Sequence, residues 1–151
     1  MRSPLFIAAL AATACADPAH HDVVVYGGTS GGVVAAVQAA KSGSTVVLVS
    51  PTNHLGGMTT SGLGWTDLGD TSILGGLSRE FYHRAYLHYQ KPGSWDRQTK
   101  ESYGNLGQGA PAFDHARQIA SVFEPKVAES IYRDILREEN VPVVTGRLDT
   151  D

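Results

Sequence analysis

The sequence predicts an α/β fold that carries the beginning of a parallel sheet, and three observations predict it. The run Asp22-Val23-Val24-Val25-Tyr26 is a short strand rich in β-branched residues. It meets a glycine turn, Gly27-Gly28-Thr29-Ser30-Gly31-Gly32, followed by a helix-forming segment of alanine and valine at 33–41. A second apolar run, Thr45-Val46-Val47-Leu48-Val49, then follows at the distance a crossover helix requires. Strand, helix and strand make one Rossmann-like βαβ unit, and the right-handed crossover rule places the second strand beside the first. Both strands are continuous apolar runs, as a parallel sheet covered on both faces demands.

The remaining elements follow in order. Ser42-Gly43-Ser44 stops the first helix. Beyond the second strand lies Ser50-Pro51-Thr52-Asn53-His54-Leu55-Gly56-Gly57-Met58-Thr59-Thr60-Ser61-Gly62-Leu63-Gly64, a glycine-rich loop at the carboxyl end of a strand, where open α/β sheets bind ligands. Residues 74–90 read as a helix whose stripe Leu77, Phe81, Tyr82, Ala85 and Tyr89 is core packing. Residues 91–114, rich in Pro, Gly, Ser, Asn and Gln, read as an excursion over the surface. Phe123-Glu124-Pro125 opens another helix with proline in its first turn, an apolar stripe of Val127, Ala128, Ile131, Ile135 and Leu136, and an outward Glu129/Arg133 pair four residues apart. Asn140 ends it, and Val141-Pro142-Val143-Val144-Thr145-Gly146 is a third strand. A dinucleotide fold has five or six parallel strands. With three, residues 22–151 read as the N-terminal, truncated part of a larger domain.

Composition narrows the classes. A chain of 151 residues has room for one domain, and its net charge of −3 with no basic stripe gives no footprint for nucleic acid. Residues 1–16 have the form of a signal peptide: Arg2, an apolar core, and the cleavage pattern Ala14-Cys15-Ala16. The expectation is a secreted protein, extracellular or periplasmic, with no membrane association after cleavage. The single cysteine would leave with that leader.

The turn carries the chemistry. The first N–H groups of a helix lack partners, and the helix dipole is positive there, so this end suits a pyrophosphate. Measured against G-x-G-x-x-G, Gly27 and Gly32 occupy the outer positions, and Thr29 stands at the middle glycine. The acidic residue expected at the end of the second strand, about 20 residues on, is Ser50, which has one hydroxyl to offer a ribose. The same turn also fits the G-x-S-x-G nucleophile elbow, with Ser30 as nucleophile and Asp96 and His115 in chain order. Its place after the first strand leaves no upstream loop to complete an oxyanion hole. Six histidines show no metal-ligand spacing, and no metal is expected.

On three stretches the chain resembles secreted members of the FAD-dependent oxidoreductase family, the group often called xanthan-lyase-like. They are residues 22–36 with the Gly-Gly-Thr-Ser-Gly-Gly turn, His54-Leu55-Gly56-Gly57-Met58-Thr59-Thr60-Ser61-Gly62, and Gly75-Gly76-Leu77-Ser78-Arg79-Glu80-Phe81-Tyr82. Phe123-Glu124-Pro125 adds a weaker match. The resemblance implies a glutathione-reductase-like FAD domain. Gly27, Gly28, Thr29, Ser30, Gly31 and Gly32 would hold the pyrophosphate, Ser50 would face the ribose, and Leu55, Gly56, Gly57 and Met58 would pass near the ribityl chain or flavin. It also implies hydride transfer from a small-molecule substrate to FAD, with His54 and Arg79 as candidate neighbours of the ring and His54 as a conceivable covalent anchor. The catalytic residues would lie beyond residue 151, so the 151-residue chain alone is expected to be inactive.

Overall fold

The computed structural model describes residues 20–103 and 111–148. The leader at 1–16 and part of the 91–114 region lie outside the described residues. Strand β1 (Val23–Tyr26), helix α1 (Ser30–Lys41) and strand β2 (Val46–Ser50) form the expected βαβ unit. Strands β1 and β2 pair in parallel with Val23 opposite Val46 and Tyr26 opposite Val49. A short 3₁₀ turn, Gly57–Thr60, follows. Helix α2 (Gly76–Tyr89), the two-residue strands β3 (Phe113–Asp114) and β4 (Ile119–Ala120), helix α3 (Pro125–Glu138) and strand β5 (Val143–Thr145) complete the chain. Strand β5 joins β2 in parallel, so the sheet order is β1-β2-β5. This is the 3-2-1 half of the doubly wound order.

Local chemistry sets the boundaries. Helix α1 starts three residues before the alanine-rich segment, because Thr29 caps it and draws Gly31 and Gly32 into the first turn. It stops where Gly43 takes φ +94°. Helix α3 starts at Pro125, whose missing N–H is one the first turn leaves unpaired anyway, and Asn140 turns the chain out at φ +54°. Pro142 stands just ahead of β5, and its carbonyl accepts from Leu48 N–H at 3.0 Å.

The core lies on one side of the sheet. Helix α1 packs on β1 and β2, α3 on α1, and α2 on α3. Phe81 stacks on Tyr132 at 4.8 Å and meets Phe123 edge-on at 5.3 Å. Arg84 of α2 ties the two helices by bonding both Glu80, at 2.7 Å, and Glu138, at 2.6 Å. The sequence stripes omit two members: Tyr86 and Tyr132 are buried as well.

Two expectations need correction. The apolar β1 run implied cover on both faces, yet Val24 is 62% exposed and Tyr26 45%, since all three α-helices sit on the other side. Residues 91–114 are not a bare surface excursion. Trp95 and Tyr103 pack around Tyr89 at 5.4 and 5.1 Å, and Phe113 is buried. Polar composition hid three widely spaced aromatics that seal the end of α2. Among the described residues no helix is long and apolar enough to cross a membrane.

Two predictions follow from this core. Phe81→Ala removes a ring that touches those of Tyr82, Phe123 and Tyr132 and should lower stability by about 3–5 kcal/mol in urea denaturation. Asp114 accepts from the Thr71 hydroxyl at 2.6 Å, the Arg117 N–H at 3.0 Å and the Arg117 guanidinium at 3.2 Å. The Thr71 bond first, then the Arg117 contacts, hold its carboxyl down at about 2 against an ordinary 3.8. A depressed carboxylate stabilises the fold above its ordinary value and loses that contribution as pH falls through the depressed one. Stability of the protein should therefore drop between pH 3.8 and about 2. An Asp114→Asn variant should show a shallower drop in that window.

Candidate functional site

The site is built where β1 hands over to α1. Gly27 takes φ +116° and donates its N–H to Val49 O at 2.8 Å, which keeps the turn against β2. Thr29 Oγ1 accepts from Gly32 N–H at 3.2 Å, and Thr29 O accepts from Val33 N–H at 2.9 Å. A Cβ on Gly32 would overlap the Gly27 carbonyl, so helix and strand approach more closely here than any side chain allows. Among the described residues no acceptor faces the N–H groups of Ser30 and Gly31, and the first turn of α1 carries no acidic side chain. The positive end of α1 is thus uncompensated and lined by free donors, which is the chemistry of a phosphate cradle. Thr29 serves the turn as a cap.

Beneath the turn lie two residues expected at the cofactor. A Cβ on Gly28 would collide with the Ser50 hydroxyl and with Leu55. Ser50 is 1% exposed and Leu55 fully buried. The Ser50 side chain faces the underside of Gly28, and the Leu55 side chain packs in the core. Inward-facing side chains follow from strand parity, because Leu48 and Ser50 share the covered face of β2.

The glycine-rich loop returns to the turn. Gly56 N–H donates to Gly28 O at 2.7 Å, and Gly56 and Thr29 form an isolated parallel bridge. Gly56 takes φ +99°, and a Cβ there would press on Thr60 and on the Tyr132 ring, 2.7 Å from its nearest ring carbon. Gly57 lies against Thr29, and Met58 is 71% exposed at the rim. Thr60 Oγ1 donates to Leu55 O at 2.6 Å, and Ser61 Oγ donates to Gly57 O at 2.7 Å. The Tyr132 hydroxyl interacts with the side chains of Thr59 and Ser30, and burial pushes its phenol up.

Helix α3 holds the loop from outside. Glu129 Oε1 accepts from Leu55 N–H at 3.4 Å and from the Arg133 guanidinium at 2.6 Å, and Arg133 also donates to Asn53 O. Glu129 Oε2 meets His54 Nδ1 at 2.9 Å. Burial works to raise the Glu129 carboxyl, but the Arg133 bond, the Leu55 N–H and the charges of Arg133 and His54 outweigh it and hold it below the ordinary range. His54 Nε2 lies 2.9 Å from Thr60 Oγ1 and 3.3 Å from Ser61 Oγ. Both ring nitrogens are engaged. Sequence reasoning placed Glu129 and Arg133 as a solvent pair and passed over Thr60 and Tyr132. The links of Glu129, Tyr132 and Arg133 to the loop span more than 70 residues, so no local pattern signals them.

Other candidates are dispersed. Arg79 donates to Arg117 O at 3.3 Å, toward the β3–β4 turn. Asp96 lines a cavity of about 280 Å³ beside Tyr89 and Lys126, whereas His115 lines a separate one of about 550 Å³ beside Trp65 and bonds Tyr86 OH at 3.1 Å. Ser30, Asp96 and His115 are not brought together as a triad. Among the described residues no group of three His, Cys, Asp or Glu side chains converges as a metal site.

The glycine geometry makes a graded prediction. Gly56→Ala combines a left-handed φ with a collision and should cost at least about 2 kcal/mol. Gly69→Ala, at φ +59° with open space around its Cβ, should cost about 1 kcal/mol. Urea denaturation of both variants checks the ranking.

Comparison with known proteins bears on what the cradle holds. The chain is 34% identical over 129 residues to a dihydrolipoyl dehydrogenase of Zymomonas mobilis, a match covering 84% of this chain and 23% of that protein. The chain therefore spans about a quarter of the length of this curated relative. The model of the family described as FAD dependent oxidoreductase matches residues 22–150, from the strand that enters the turn to the end of the third parallel strand and beyond. With the turn, the loop and the sheet order all inside that match, the chain belongs to the FAD-dependent oxidoreductase family.

Proposed function

We propose that residues 22–151 form the N-terminal FAD-binding part of a secreted flavin oxidoreductase. The observation that carries the reading is the free, uncompensated start of α1, closed against Gly27 on one side and roofed by Gly56 and Gly57 on the other. The residues present fit FAD. Ser30 and Gly31 N–H groups would take pyrophosphate oxygens, and the lack of side chains at Gly28 and Gly32 lets the backbone come close. Gly57 and Met58 would border the bound group on the loop side. When bound, the flavin supplies two-electron redox chemistry, and the proposed activity is oxidation of a small-molecule substrate with its hydride passing to the flavin. The chain's own part is to bind and orient: the α1 dipole neutralises phosphate charge, and the loop excludes water from the turn. Secretion rests on the signal-like pattern of residues 1–16, and N-terminal sequencing of the mature protein should start at Asp17.

A second reading, a serine hydrolase using Ser30, has no supporting geometry, since Asp96 and His115 face other cavities. The decisive experiment is the visible spectrum of the purified protein after FAD addition and gel filtration. Retained flavin bands support the proposal, and a colourless protein that reacts at Ser30 with a fluorophosphonate overturns it. Gly32→Val should abolish flavin retention, because a branched side chain drives α1 away from the Gly27 carbonyl.

A further inference from the structure

The His54 ring links helix α3 to the loop through both of its nitrogens. On one side Nδ1 faces a Glu129 carboxylate oxygen at 2.9 Å, an acceptor only. On the other, Nε2 faces two hydroxyls, Thr60 Oγ1 at 2.9 Å and Ser61 Oγ at 3.3 Å. Each hydroxyl has one proton, and each already directs it to a carbonyl: Thr60 to Leu55 O at 2.6 Å, Ser61 to Gly57 O at 2.7 Å. The ring therefore spans from the α3 carboxylate to two hydroxyls that are themselves bonded to the loop backbone.

The pair sits at a commanding place. Glu129 Oε1 also receives Leu55 N–H, the residue before Gly56, and Gly56 N–H in turn is bonded to Gly28 O in the phosphate turn. Thr60, bonded to His54 Nε2, also fixes the Leu55 carbonyl. We infer that Glu129 and His54 form a hydrogen-bonded pair that positions the Leu55-Gly56-Gly57 loop over the turn, and so sets how tightly the protein holds its cofactor. The inference rests on the FAD reading proposed above. Glu129 and His54 are positioning residues, since they act through the loop backbone. Among the described residues, the charged groups facing the ring are Glu129 and, bonded behind it, Arg133, both from α3, while its own loop supplies only the Thr60 and Ser61 hydroxyls.

The test uses the full-length protein, with two readouts. The first is the FAD dissociation constant by fluorescence for wild type, Glu129→Gln, His54→Gln and the double variant. Either single variant should bind about tenfold more weakly than wild type, and the double variant should be no worse than either, as one shared hydrogen-bonded pair requires. The second is hydrogen–deuterium exchange of the cofactor-free protein, in which the Leu55 and Gly56 amides should exchange faster in both variants while α1 amides stay protected. Wild-type affinity in Glu129→Gln, or additive losses in the double variant, would overturn the inference. A wild-type protein that holds no FAD would overturn the cofactor reading instead, and the exchange readout would still decide whether the pair holds the loop.

Discussion

Everything at the site depends on one forbidden approach: the Cα of Gly32 lies so close to the Gly27 carbonyl that no side chain fits between them. That contact brings the start of α1 against the end of β1 and sets the tilt of the helix. It puts Thr29 where it can cap α1 and also bridge Gly56. It leaves Ser30 and Gly31 N–H groups pointing out of the protein. An anion site needs no positively charged side chain here, because the peptide dipoles of α1 supply the field.

The second structural fact is that the loop over this turn belongs to two layers at once. Its backbone is bonded to the turn through Gly56 and Gly28, and its underside rests on Tyr132. The same Tyr132 ring stacks on Phe81 of α2, so the aromatic core and the roof of the cradle share a wall. Thr60, buried at 2% exposure, satisfies carbonyls that a buried tight turn would otherwise leave open. The cradle is therefore braced on its loop side, with Met58 exposed at its rim.

Much of this was legible in the chain. The βαβ unit follows from apolar runs of strand length, a glycine turn and a helix of small residues, and these are local signals. Pro125 and Asn140 marked the ends of α3 for similarly local reasons. What the chain concealed was orientation and distance. Ser50 and Leu55 stood in the right stretch for a cofactor but face inward, which strand parity decides only once the covered face is known. Glu129 and Arg133 read as an outer pair, and only packing of α3 beside the loop makes them its clamp. Residues 91–114 looked like open loop because Trp95, Tyr103 and Phe113 are too far apart to show a period. The apolar β1 sequence implied cover that, among the described residues, its Val24 and Tyr26 face does not have.

The span between Leu55 and Glu129, 74 positions along the chain, has a consequence for the order in which the molecule assembles. Strand β1, helix α1 and strand β2 lie within about one βαβ length of one another and close few residues of loop. The roof of the cradle is held by contacts that first require α2 to fold back and α3 to dock, and long closures are entropically late events. The nascent chain thus passes through a stage with a formed phosphate turn and an unformed roof. Closure of the cradle in this way waits on contacts that reach across more than 70 positions of the chain.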